Sequence, residues 1–307
     1  MDIITHHSIS DLYKTLNLSF EDEIDFTILP IPEIHHQIPF KSPILRADYF
    51  SFILTITGSG VYNLDDNKFS FDSRTIYFTN PGHTKSYELK EAKESYIITL
   101  TENFLREYVH SEIYDEFPFL LAEIVPPNTL SEKQTKEYET LYKQILDAFE
   151  KPSIYKEKIL GSLFLVLLLK IKEDFWLDYN PIMEGNRNSQ IVKSFKQLLE
   201  KEFKKIVSDS TPNRRPQVID FANELHLHPN YLNSVIRSKT GKTINDWLNN
   251  RTIAAAKSLL RNSSLSAKEI AYKLGFSEPT HFNRFFRKHV KTTPSEFRKS
   301  LASSSMS

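Results

Sequence analysis

The fold class predicted is α+β in two parts. An N-terminal antiparallel β-barrel is followed by two helices, and then comes an all-α domain with two helix-turn-helix units joined by a spacer helix. Three observations predict it. Alternating or aromatic-rich runs separated by turn residues fill residues 24–101. A two-helix unit occurs twice near the C-terminus, about fifty residues apart. Charge is also divided between the parts: from Ser189 onward there are 21 Lys+Arg against 9 Asp+Glu, a net +12, and the remainder carries −12. One half is therefore suited to a polyanion and the other half to staying off it.

The N-terminal part opens with a short helix over 8–17, with Ile9, Leu12, Tyr13 and Leu16 on one face. Strands are predicted at 49–57, 60–64, 68–71, 75–79, 84–89 and 95–100. Turn signals separate them at Gly58-Ser59-Gly60, Asp65-Asp66-Asn67, Asp72-Ser73 and Asn80-Pro81-Gly82. Such short, regular spacing suits a small barrel or sandwich, at about 20–105. Two helices follow within 131–175. Ser131 starts the first, with Tyr138, Leu141, Tyr142, Ile145, Leu146 and Phe149 as its stripe. The second is apolar on nearly all sides between Ile159 and Ile171, so it needs cover on more than one face. Packing on the barrel and facing a second subunit both stay open as readings.

The boundaries that follow are 1–180 for the first domain, a linker at 181–190 containing Pro181 and Gly185, a second domain at 191–301 and a disordered tail at 302–307. The second domain begins with an amphipathic helix (Ile191, Phe195, Leu198, Leu199, Phe203, Ile206). In the doubled unit, Leu232, Val235 and Ile236 map onto Phe282, Phe285 and Phe286. Asn230, Asn233, Ser234 and Arg237 map in the same way onto Thr280, Asn283, Arg284 and Arg287. At 100° per residue the apolar three share one side of each second helix and the polar four cluster opposite. That pattern fits a helix that lies in a DNA major groove. Between the copies, residues 243–260 form a spacer of about 27 Å, with Thr243 as N-cap and Asp246 in its first turn. Ser266 with Glu269 forms a capping box for the next helix, and Pro294 opens a last one.

These features chosen together resemble the DNA-binding domain of the AraC/XylS family of transcription regulators, over about 189–301. The resemblance is carried by Ala222 and Leu225; Tyr231-Leu232; Gly241; Arg251 with Ala255 and Leu259-Leu260; Ile270-Ala271 and Gly275-Phe276; Phe282-Asn283-Arg284-Phe285-Phe286; and Thr293-Pro294 with Phe297-Arg298. Lys291 stands where that family often has Gly. Residues 53–62 and 76–82 resemble the family's cupin-like sensing domain, although Lys85 stands at the usual His position and His83 directly follows Gly82.

Expected base-reading residues are Asn230, Asn233, Ser234, Thr280, Asn283 and Arg284, with Arg284 foremost, because Arg reaches guanine O6/N7 and Asn pairs with adenine. Expected phosphate contacts are Arg237, Arg287 and Lys288, with the backbone amides of Thr243 and Ser266. Arg251, among apolar residues, is expected to form an ion pair within the domain. Arg46, Tyr62, Tyr77 and His83 are candidates for a ligand pocket in the barrel.

His35, His36 and His83 raise a metal reading, but no His-x-His pair occurs in the strand region 24–101 and no metal or other cofactor is expected. The chain has no Cys, no phosphate-cradling Gly loop and no paired-carboxylate motif, so it lacks the parts of a catalyst. It shows no signal peptide and no apolar run long enough to span a bilayer, so a cytoplasmic location is expected. The resemblance implies a regulator that binds double-stranded DNA and works with RNA polymerase. Control is expected from a small effector in the barrel or from a homodimer through 131–175. The alternatives are a ligand-independent DNA binder whose first domain only dimerises, and a cupin with chemistry of its own fused to a DNA-binding domain.

Overall fold

In the computed structural model, residues 3–20, 24–110, 112–122, 125–177, 187–208 and 214–303 are described. The expected linker falls mostly outside this set, as do residues 304–307 of the expected tail. The chain divides into two compact units, Met1–Gly185 with Lys239–Gly241, and Asn186–Ser238 with Lys242–Ser307.

The first unit begins with β1 (Ile4–His6), α1 (Ile9–Thr15), β2 (Phe26–Pro30), α2 (Ile31–Ile34), β3 (Phe40–Lys41) and β4 (Leu45–Ala47). The long strand β5 (Phe50–Leu64), then β6 (Asn67–Phe71), β7 (Thr75–Thr79) and the long strand β8 (Thr84–Leu100) complete most of the sheet. After α3 (Glu102–Phe104), a π-helical turn (Leu105–Val109), α4 (Ile113–Glu116), a 3-10 turn (Pro118–Leu121) and β9 (Asn128–Thr129) come two long helices, α5 (Glu132–Glu150) and α6 (Lys156–Phe175).

Strands β5 and β8 pair antiparallel from Phe50↔Leu100 to Leu64↔Lys85. The other strands add along their edges: β2, β3 and β4 on β8, and β6 and β7 on β5. Among the described residues only the β1–β4 pairing is parallel. Two sequence expectations are corrected here. Gly58-Ser59-Gly60 is not a turn, and 84–89 and 95–100 are not separate strands: each pair of runs belongs to one strand. Register shifts between Thr55 and Gly60 make β-bulges, which bend a strand without ending it. Gly58 and Gly60 serve close approach, since a Cβ there would stand 2.7 Å from Glu91 O and 2.4 Å from Glu88 O.

Alternation along the strands sorts side chains onto two faces. One face presents Phe50, Phe52, Leu54, Ile98 and Leu100 to a core shared with α5 and α6. The other gathers Ile53, Tyr62, Leu64, Tyr77 and Leu89. Helix α5 is capped by Ser131 with Gln134 and buries Tyr138, Leu141, Tyr142 and Ile145. Helix α6 buries Leu160, Phe164, Leu167, Leu168 and Ile171, and Gly161 lets it lie against Tyr108, whose carbonyl oxygen would be 2.2 Å from a Cβ. Ile159, Val166 and Leu169 on α6 remain 41%, 43% and 45% exposed, so within one chain the helix is covered on one side only.

The second unit is all helix: α7 (Arg187–Ser208), α8 (Val218–Glu224), α9 (Pro229–Thr240), α10 (Ile244–Asn262), α11 (Ala267–Lys273), α12 (Pro279–Val290) and α13 (Pro294–Ser303). Its core joins Phe195, Phe203, Leu232, Ile236, Trp247 and Phe286. The last helix continues to Ser303, past the expected start of the tail.

Candidate nucleic-acid interface and barrel cavity

The two copies align in detail. Helix α8 is capped by Leu225 and α11 by Leu274, and the turns are tied by matching backbone bonds, Leu227 N to Ala222 O at 2.9 Å and Phe276 N to Ala271 O at 3.0 Å. Left-handed residues His226 (φ 55°) and Gly275 (φ 80°) begin these turns. Pro229 and Pro279 open the second helices, so the second turn is one residue longer. Each second helix buries its apolar side: Leu232, Val235 and Ile236 in α9, Phe282 and Phe286 in α12. Asn230, Ser234 and Arg237 are exposed on α9, and Thr280, Asn283, Arg284, Arg287 and Lys288 on α12. Phe285 is half-buried under a guanidinium: Arg215 Cζ lies 4.7 Å from its ring centroid and 5.3 Å from that of Phe276. Arg215 also donates to Asn249 Oδ1 at 2.6 Å, so it ties the second helix-turn-helix copy to the spacer helix. Arg215 lies outside any periodic run of the sequence, so no pattern there marks its role.

The copies differ at one equivalent pair. Asn233 is half-buried, and its Oδ1 accepts the Ile244 amide N–H at 3.0 Å. This corrects its expected role as a base reader, because the side chain is engaged in joining α9 to α10. In the second copy the counterpart of Ile244 is Pro294, which has no N–H to give, and Asn283 stays exposed.

The helix N-termini are also corrected. The Thr243 N–H is donated to Asp246 Oδ2 at 2.8 Å, and the Ser266 N–H to Glu269 Oε2 at 2.7 Å. Both amides expected to hold phosphate are therefore taken by carboxylates of complete capping boxes, whose charge opposes a second anion there. Arg251 behaves as expected: its Nε meets Glu200 Oε2 at 3.2 Å, linking α10 to α7 with both side chains largely buried. The spacer α10 has 19 residues, a rod of about 28 Å.

In the first unit, the face holding Ile53 and Tyr62 surrounds a cavity of about 770 Å³, counting its open mouth. Tyr62 and Tyr77 are among the residues that line it. Arg46 and His83 do not. Arg46 alternates with Leu45 on β4, and it is Leu45 that faces the cavity. The His83 ring is paired with Asp65 through Nδ1–Oδ2 at 2.8 Å. Burial raises the Asp65 carboxyl, but the bonds from His83 and Thr84 outweigh it and hold that group well below the usual range. The polar groups that do line the cavity are Lys85, Ser51, Thr79, His35, Tyr49 and Tyr87. The available signal was strand alternation, which puts Lys85, Tyr87 and Leu89 on one face of β8.

Residues 221–300 match the family described as a helix-turn-helix domain. The HTH-type transcriptional regulator YfiF of Bacillus subtilis is 22% identical over 270 residues, 85% of this chain and 80% of that protein. The HTH-type transcriptional activator RhaR of Mannheimia succiniciproducens is 20% identical over 271 residues, 86% of this chain and 89% of that protein. Among solved structures, ToxT from Vibrio cholerae aligns over 90% of this chain and 98% of its own at 15% identity, with a TM-score of 0.36. With two matched helix-turn-helix units on one spacer and likeness over most of its length to named regulators, the chain is a DNA-binding transcription regulator whose residues 221–300 form a helix-turn-helix domain of the AraC type.

Proposed function

We propose that one protomer reads two adjacent major-groove segments of double-stranded DNA, with α9 in the first and α12 in the second. The observation that carries this is the exposed polar face on each second helix, opposite an apolar face buried in the shared core. Base contacts are assigned to Asn230, Ser234, Thr280, Asn283 and Arg284, and phosphate contacts to Arg237, Arg287 and Lys288. Asn233 holds the first reading helix to the spacer. The faces differ in chemistry, so the DNA site is asymmetric, and α12 supplies the greater share of the electrostatic grip. Footprinting and binding with Arg284→Ala test this. The expected result is weaker operator binding by about 1–3 kcal/mol with relaxed preference at one base position. Unchanged affinity and preference would remove α12 from the interface.

The first unit, on this reading, controls how the second meets DNA. A small effector enters the cavity, and a homodimer forms through 131–175, where Ile159, Val166 and Leu169 of α6 lie exposed as an apolar stripe. Bound regulator then acts on RNA polymerase at the neighbouring promoter, in the cytoplasm. Ligand-dependent change in DNA affinity tests the effector; a binder unaffected by any ligand, yet dimeric, supports the reading in which the first domain only dimerises.

A further inference from the structure

We propose that the barrel cavity binds a small organic acid, a carboxylate carried on an apolar body. This deepens the reading in which the first unit takes an effector, and names that ligand's chemical class. The cavity wall is built mostly from alkyl and aromatic side chains, among them Leu12, Leu29, Ile53, Leu89 and Ile97. Into it comes one ammonium. Lys85 Nζ donates to Thr79 Oγ1 at 2.9 Å and to Ser51 Oγ at 3.4 Å, and lies 5.2 Å from the Tyr49 ring centroid. No carboxylate of the described residues pairs with it. Burial pushes the amine down to about 7, the mark of a cation whose lost hydration is not replaced by a counter-charge.

A second observation is independent of Lys85. The Tyr62 hydroxyl, on a residue 3% exposed, has no hydrogen-bond partner among the described residues, although the ring lines the cavity. A buried polar group without a partner costs about 1–3 kcal/mol unless something satisfies it. A carboxylate supplies the missing negative charge for Lys85 and accepts from its ammonium and from hydroxyl donors of the wall. The lining also argues against other ligand classes. It contains no Asp, Glu, Asn or Gln, so the paired acceptors and donors that a polyhydroxylated sugar needs are absent from it. A cationic ligand would meet Lys85 with no balancing charge.

Titration calorimetry on the full chain tests this with octanoate and 3-phenylpropanoate, each against the alcohol of the same body. At least one acid is expected to bind one to one, with its alcohol weaker by roughly tenfold or more. Lys85→Met is expected to melt no lower than the parent and to bind acid and alcohol alike. Tyr62→Phe is expected to weaken the acid several-fold while leaving the alcohol nearly unchanged. If Lys85→Met does not fold, Lys85→Gln carries the same comparison. Absence of saturable binding by either acid, an alcohol that matches its acid, or undiminished acid binding by the lysine variant overturns the proposal. DNA affinity measured on the same samples separates the two ideas. An acid that binds without altering DNA affinity supports the site and removes effector control. An acid that fails to bind, with DNA reading still lost in Arg284→Ala, overturns the cavity proposal alone.

Discussion

Asn233 and Asn283 occupy the same place in two copies of one unit, yet their surroundings assign them different work. The Asn233 carboxamide closes a bond to the Ile244 amide, whereas Asn283, with Pro294 in the matching position, has no such amide to accept from and stays exposed. Asn233→Ala is therefore expected to lower stability by about 1 kcal/mol in urea unfolding, the cost of a partly buried bond lost. Asn283→Ala should leave stability within about 0.5 kcal/mol and instead weaken DNA binding. Lys291 gives a third residue-level expectation. It ends α12 in the left-handed conformation (φ 65°), where side chains with a Cβ are strained. Lys291→Gly should raise stability by up to about 1 kcal/mol. Lys85 adds a pH dependence. Its amine titrates near 7 in the folded protein and near 10 in the unfolded chain, so the unfolded state binds more protons in between. Stability should rise from pH 7 to about 10 and that rise should vanish in Lys85→Met, read from urea midpoints. The groups around it act in other windows. Burial lowers His6 and His35 further below neutrality, and raises Tyr49 and Tyr87 above their ordinary values. The identity of these residues was legible in the sequence, but their partners were not. Asn233 and Asn283 have equal helical phase, and only the three-dimensional meeting with Ile244 or Pro294 tells them apart.

At the scale of elements, the helices of the second unit were largely legible because caps and periodicity agree there. Ser266 with Glu269, Thr243 with Asp246 and the apolar faces of α9 and α12 all follow the expected pattern. The strands were less so. Gly58-Ser59-Gly60 carries a turn composition, but the glycines answer a need for close strand approach beside bulges. Local composition cannot separate these two uses of glycine, since both depend on what lies opposite. The first short pairing, β1 with β4, was also missed, because three residues are too few to show alternation. Helix α6 carries the prediction for this scale. Val166→Glu should shift the full chain from dimer to monomer in analytical ultracentrifugation, with little change in melting temperature, since Val166 is 43% exposed. An unchanged mass would remove that stripe from the proposed homodimer.

For the whole molecule, the charge division is the governing property. A second unit at about +12 beside a remainder at −12 confines attraction for DNA to one end of the chain. Operator affinity should fall steeply with salt, and Arg287→Ala should reduce the slope of log affinity against log salt by about 1. The two units also hold separate cores, around Phe52 and Phe164 in one and Phe195 and Phe286 in the other.

The spacer helix α10 has a consequence for how operators change over generations. Its 19 residues set the phase between the reading helices without a hinge of their own. Inserting one base pair between the two DNA segments turns one relative to the other by about 34°. A rod cannot follow that turn without releasing one segment. Base substitutions under either helix, in contrast, each forfeit only about 1–3 kcal/mol. Spacing should therefore be the slowly drifting character of these operators, and base identity the faster one.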